Sequence, residues 1–300
     1  MSYKKIKPGI YLVDLDLQIG GFTKFISSWI YHRHGLTIVV DPGPSSTLKI
    51  LLEALKKLDI SSVDFLLLTH IHVDHAGGSG DLLKKFPGTK VICHPNAAEH
   101  LINPQKLWRA TLKVLGKSAE QYYGEIKPLP KHTEFFHENI DSGDVNIKIV
   151  ETPGHAAHHL CFQIDELLFA GEALGVWLTQ VPEQYHRPAT PPIFKYEIFS
   201  QSVKNIARLQ GVKTVCFGHY GTLDMPLKKI CDNTMRQMDL WLKIVSDNLN
   251  KSTQNIRAEI LKRDKSLQPL NDFPEDIYER ELSFFLNSIS GMRQYLQSTT

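Results

Sequence analysis

The sequence predicts an α/β (α+β) fold followed by a helical extension. Three observations lead there. Short apolar runs of strand length alternate with stretches of helical apolar spacing over the first 225 residues. Several of those runs stop at loops that carry histidines. After Pro226 the strand signal fades, and apolar residues repeat at steps of three and four. Alternation of this kind points to layered sheet and helix rather than to a helical bundle.

Each element has a local reason. Ile10–Val13, Phe25–Tyr31 and Leu36–Val40 are β-branched or aromatic runs, the last two joined by His32-Arg33-His34-Gly35. Asp41-Pro42-Gly43-Pro44 stops the third run, and Ser45 or Ser46 is placed to cap a helix carrying Leu48, Leu51, Leu52, Leu55 and Leu58. Val63–Thr69 predicts a buried central strand that leads into a histidine-rich loop. A helix near 80–86, a strand at Lys90–Cys93 and helical sequence over 96–124, broken at Pro104, follow. Strands are expected at Val145–Val150, His159–Ile164 and Leu167–Ala170, then an irregular stretch over 176–195 with four prolines. A helix at 196–209 and a strand at Thr214–Phe217 complete this part. Two or three amphipathic helices fill 227–298, with stripes through Met238, Trp241, Val245 and Leu249 and through Leu282, Phe285, Ile289, Met292 and Leu296, and Gly291 as a break. The expected division is a catalytic domain over 1–225 and a helical cap or extension over 226–300.

Composition narrows the function classes. The chain has 300 residues, with 34 Lys and Arg against 32 Asp and Glu, a net charge of +2 that gives no field to draw in long nucleic acids or a membrane surface. No apolar run has the roughly 18 residues of a membrane span, and the basic start has no apolar segment of a signal peptide behind it. The four cysteines are too few and too scattered for a disulfide framework, which fits a cytoplasmic setting.

The 14 histidines carry the argument. Thr69-His70-Ile71-His72-Val73-Asp74-His75-Ala76-Gly77-Gly78 places three imidazoles and a carboxylate within six residues. In extended backbone His70 and His72 project to one side and can reach one metal, while Asp74 and His75 follow a turn and can serve a second position. Imidazole and carboxylate suit Zn, Fe or Mn. By chance this pattern is expected in roughly two chains in a thousand of this composition. Three further strand ends carry matching groups: His155 after Thr152-Pro153-Gly154, Glu172 after Leu168-Phe169-Ala170-Gly171, and His219 in Phe217-Gly218-His219-Tyr220-Gly221. Together they complete two three-ligand positions with a shared carboxylate.

This series resembles the metallo-β-lactamase superfamily of metallohydrolases, in order and spacing, over about residues 6–225. The resemblance implies a four-layer αββα sandwich and two divalent metal ions, zinc first, with Fe or Mn as alternatives. It implies His70, His72 and His155 on the first ion, and Asp74, His75 and His219 on the second. It gives Asp41 a supporting role behind the metal loop. Most members bridge the two metals with aspartate, where this chain has Glu172. His158 and Tyr220 are further candidates for contacts to substrate or ligands, and His159 is expected to be packed or hydrogen-bonded. His94, His100, His132, His137 and His186 read as surface or loop residues.

Two metals can hold a water and lower its pKa toward neutrality, so that hydroxide attacks a carbonyl or phosphorus while Asp74 handles the proton. The expected activity is hydrolysis of a thioester, lactone or other small ester, like the glyoxalase II and lactonase branches. The alternatives are a mononuclear iron sulfur dioxygenase-like enzyme and a small-molecule phosphodiesterase. Expected partners are a small-molecule substrate and, through the C-terminal helices, a second copy of the chain; long nucleic acids and membranes are not expected.

Overall fold

A computed structural model describes residues 3–179 and 184–299. The chain forms two compact units, Met1–Ile149 and Val150–Thr300. This division concerns packing. The expected boundary at 225/226 concerns function and remains a proposal.

In the first unit, β1 (Tyr3–Lys7), β2 (Ile10–Asp14), β3 (Ser27–Arg33) and β4 (Leu36–Val40) form an antiparallel meander. A short 3₁₀ turn leads into α1 (Leu48–Lys57), which returns the chain to β5 (Phe65–Leu67), parallel to β4. The one-turn helix α2 (Val73–Ala76) and α3 (Ser79–Lys85) precede β6 (Lys90–Ile92). Then α4 (Pro95–Ile102) and α5 (Gln105–Leu115) lead to β7 (Phe135–Phe136). β4 to β7 are parallel, so the seven-stranded sheet follows sequence order. The last four residues of β4 and all of β5 are buried, as parallel strands covered on both faces require. β8 (Ile140–Asp141) pairs with the start of β9 (Asn146–Glu151).

The second unit contains β10 (Leu160–Ile164) and β11 (Leu167–Gly171), an antiparallel pair, then β12 (Val176–Leu178) and β13 (Tyr185–Arg187), a separate antiparallel pair. α6 (Tyr196–Ile206) carries the chain to β14 (Thr214–Phe217), which runs parallel to β11 and antiparallel to β15 (Thr222–Leu223). α7 (Leu227–Asp247), α8 (Thr253–Arg263) and α9 (Glu275–Thr299) follow. Residues of their apolar stripes are buried: Met238, Trp241 and Val245 of α7, and Phe285, Ile289 and Met292 of α9, with Trp241 edge-on to Phe285. Among the described residues no helix is long and apolar enough to cross a membrane.

Several expectations need correction. The strand expected over Val63–Thr69 narrows to three residues, because the chain beyond Leu67 turns to support histidines. Neither Ser45 nor Ser46 caps α1; Ser45 Oγ donates to Asp81 and Ser46 Oγ to the Tyr122 carbonyl. The stretch 176–195 is not irregular throughout. It holds the β12–β13 pair, with Pro188, Pro191 and Pro192 beyond the strand; its residues 180–183 lie outside the described residues. His186 is neither a surface nor a loop residue: it is buried on β13 and stacks on Trp177 at 4.0 Å. Gly291 does not break α9.

Candidate metal centre

In the first unit the site grows from the carboxyl ends of two adjacent parallel strands, where α/β sheets place ligand-binding groups. Asp41 follows β4, and Thr69 and His70 follow β5. Asp41 is almost fully buried at φ 51°, a left-handed conformation that Asp tolerates better than most side chains. Its Oδ1 accepts the Thr69 backbone N–H at 2.8 Å. Its Oδ2 accepts both the Thr69 hydroxyl, at 2.6 Å, and His75 Nδ1, at 3.0 Å.

These contacts fix two imidazole tautomers. A carboxylate only accepts, so His75 carries its proton on Nδ1. The Thr69 hydroxyl spends its proton on Asp41, so it accepts from His70 Nδ1 at 3.0 Å. In both rings the lone pair is left at Nε2, the form that binds a metal. His70 and His72 stand edge to face with ring centres 4.5 Å apart, each offering a ring nitrogen within 4.8 Å of the other's. His72 has extended backbone immediately before α2, whose first turn holds Asp74 and places its Oδ2 3.6 Å from His75 Nε2. Tyr123 lies within electrostatic reach: burial first, then the charge of Asp74, pushes its phenol pKa up.

The second unit repeats the arrangement. Glu172 and His219 follow β11 and β14, which are parallel neighbours, and His155 follows β9 in a turn. The Glu172 carboxylate is turned to two imidazoles: Oε2 is 3.0 Å from His155 Nε2, and Oε1 is 3.4 Å from His219 Nε2. Burial works to raise the Glu172 pKa, but His155 and His219 beside it hold the group well below the usual carboxylate range. His155 Nδ1 donates to the Ala189 carbonyl at 3.0 Å, which leaves its lone pair at Nε2, facing a carboxylate oxygen. Two acceptors at that separation call for a cation, a proton or a metal ion, between them. The donor set and its fixed tautomers therefore fit a divalent metal.

Glu172 is itself held from behind. Its backbone N–H donates to His159 Nε2 at 3.1 Å, so the neutral His159 carries its proton on Nδ1, 2.8 Å from Thr152 Oγ1. His159 is fully buried, as a packed, hydrogen-bonded histidine should be. His158 and Tyr220 are half-buried.

The structure thus brings His70 beside His72 and Asp74 beside His75 in one unit, with Asp41 behind His75 and, through Thr69, behind His70, and it brings His155, Glu172 and His219 together in the other. Sequence reasoning missed Thr69, Tyr123 and Ala189. Thr69 stands beside His70 in the motif and was findable. Ala189 acts through its carbonyl and has no side-chain signature.

Buried imidazoles of fixed tautomer with buried carboxylates at strand ends define a metal-site protein of α/β class. The chain belongs to the metallo-β-lactamase superfamily: the family model of that description matches residues 22–219. It is 28% identical over 248 residues to the metallo-beta-lactamase fold-containing protein ST1585 of Sulfurisphaera tokodaii, covering 81% of this chain and 88% of that one. It is 29% identical over 154 residues to a hydroxyacylglutathione hydrolase of Prochlorococcus marinus, and spans about half (49%) of that relative's length. Among solved structures, the archaeal superfamily protein from Sulfolobus tokodaii superposes with TM-score 0.69 at 23% identity, over 94% of this chain and 98% of that one. A family protein from Thermus thermophilus gives 0.67 at 18% identity, over 98% and 95%. The expected α/β metallo-β-lactamase fold with C-terminal helices is thereby borne out.

Proposed function

We propose that this protein is a metal-dependent hydrolase of small thioesters, lactones or related esters, acting in the cytoplasm. The observation that carries the reading is the Glu172 carboxylate, buried with one oxygen toward His155 and the other toward His219. That is how a carboxylate shared between two metal positions is held. The superfamily fold is typically hydrolytic, and the similarity to hydroxyacylglutathione hydrolases supports a thioester, though over only half their length. The four cysteines are buried and scattered along the chain, too few for a disulfide framework, which suits a reducing compartment.

In this reading His70, His72 and His155 would hold one ion, Asp74, His75 and His219 the other, and Glu172 both. This grouping rests on the order of the residues in the family. When bound, such ions lower the pKa of water and polarise a carbonyl oxygen. The protein's own part is orientation and proton handling. Asp41 keeps the His70 and His75 lone pairs at Nε2, through Thr69 and directly. Ala189 does the same for His155, and His159 anchors the Glu172 backbone. Asp74, only partly buried, can accept a proton at Oδ2.

Metal analysis of protein purified without added metal or chelator, with assays on thioester, lactone and phosphodiester panels, tests the reading. Two zinc or manganese ions per chain with thioester or lactone turnover supports it. One iron per chain with oxygen uptake on thiol substrates would replace it with a sulfur dioxygenase-like activity. Turnover confined to phosphodiesters would replace it with a phosphodiesterase.

A further inference from the structure

The segment from β13 to Pro191 is clamped by one face of α9. Four residues of α9, Glu281, Phe284, Ser288 and Gly291, recur at steps of three and four and so share that face. Fully buried Glu281 accepts Arg187 Nε at 2.5 Å and the Tyr185 hydroxyl at 2.7 Å. The Arg187 guanidinium lies 4.5 Å over the Phe284 ring. Ser288 Oγ donates to the Pro188 carbonyl at 3.1 Å, and Thr190 Oγ1 donates to the Ser288 carbonyl at 3.4 Å. A Cβ on Gly291 would stand 2.2 Å from the Thr190 carbonyl oxygen, so helix and segment meet backbone to backbone.

Ala189 is the residue between these two anchor points, and its carbonyl fixes the His155 ring. At the same end of the β12–β13 pair, where Val176 faces Arg187, β12 leads back to Glu172: Gly175, at φ 79°, precedes β12, and its N–H donates to the Glu172 carbonyl at 3.0 Å. A Cβ at Gly175 would come 2.5 Å from the Arg187 carbonyl oxygen. The strand pair therefore connects the carbonyl behind His155 to the backbone of Glu172.

The charges at the clamp are costly. Arg187, Arg280 and Glu281 are buried, with two guanidinium groups against one carboxylate. A buried ion pair is poor evidence for stability, because desolvation offsets much of the attraction. Its fixed geometry does set the register of the segment it holds. We propose that Arg187, Glu281 and Ser288 are positioning residues for the metal centre, acting through the Ala189 carbonyl on His155. The C-terminal helix thus tunes metal affinity without touching the ion. The inference rests on His155 being a metal ligand.

The test measures zinc affinity of the full-length chain by competition with a chromophoric chelator. The visible spectrum of the cobalt(II)-loaded protein and the melting of the metal-free protein are recorded alongside. Ser288→Ala and Glu281→Gln are expected to weaken zinc binding, the second by about tenfold, and to alter the cobalt spectrum. Arg187→Lys, which keeps the charge, is expected to retain more affinity than Arg187→Met. Ile206→Ala trims a fully buried side chain of α6, a helix that supplies none of the clamp residues. It is expected to lower melting while leaving affinity and spectrum unchanged. Ser288→Ala and Glu281→Gln that lose stability but keep wild-type affinity and spectrum would overturn the inference. If Glu281→Gln does not fold, Ser288→Ala decides alone, since it deletes one hydrogen bond. Full metal content in His155→Ala would instead sink the ligand assignment.

Discussion

Asp41→Asn separates what the Asp41 carboxylate does from where it sits. Asparagine tolerates the positive φ of this position, so the backbone can stay as it is. The chemistry cannot. Asp41 receives three donors: the Thr69 N–H, the Thr69 hydroxyl and His75 Nδ1. An amide oxygen replaces Oδ1 without loss, but the amide NH₂ then faces the Thr69 hydroxyl and His75, both of them donors. The hydroxyl can rotate and accept. His75 can accept only by moving its proton to Nε2, which removes the lone pair it needs as a ligand. Two hydrogen bonds to a buried charge are lost, at about 1.5–3 kcal/mol each, so the fold should weaken by about 3–6 kcal/mol before relaxation. Metal affinity should fall by about 10–100-fold, the usual cost of losing the group behind a ligating histidine. Urea denaturation, chelator competition and nitrogen NMR of the imidazoles measure the three effects. Wild-type metal affinity in Asp41→Asn, with His75 still protonated at Nδ1, would refute the reasoning.

Three further outcomes are expected. His72→Ala should lose metal and activity together, because it deletes a proposed ligand; full metal content in the purified variant would remove His72 from the site. Glu172→Asp shortens the carboxylate that faces His155 and His219. The backbone is pinned by His159 and the carboxylate already reaches His155 and His219, so a side chain shorter by one methylene should bind metal more weakly by elemental analysis. His186→Phe should flatten the acid limb of stability. Burial, opposed by Asp264 and reinforced by Arg236, pushes the His186 pKa from 6.5 down to about 4. Between those values the unfolded chain binds a proton that the folded one refuses, so stability declines as pH falls from 6.5 toward 4, by up to about 3 kcal/mol. Phenylalanine keeps the stack on Trp177 and loses the titration. Parallel pH profiles of wild type and variant in urea would count against it.

What the sequence disclosed depended on how local the cause was. The strands and the His-x-His-x-Asp-His loop were legible because apolar runs and clustered donors are properties of a few consecutive residues. So was the interruption at Pro104, where α4 and α5 meet. β5 was overextended because Leu68 and Thr69 look like strand residues, while their backbone is recruited by Ile92 and Asp41. β12 and β13 escaped notice because three-residue strands among prolines have too little period to register.

The least legible features are those whose partners are far apart in the chain. Arg187 and Glu281 are 94 residues apart and His155 and Ala189 are 34 apart, and neither pair has a motif. Gly291 shows the same limit from the opposite side. In isolation, glycine at that position reads as a helix break, by its low propensity. In the fold it is the residue that lets α9 lie against the carbonyls of Thr190 and Pro191, and a methyl group there would collide with both. A local rule gave the wrong sense because the constraint is a close approach between two backbones. The ligands of a metal centre can therefore be read from a sequence well before the groups that aim them. Those groups act through carbonyls, N–H groups and buried charges supplied by whatever the topology brings alongside.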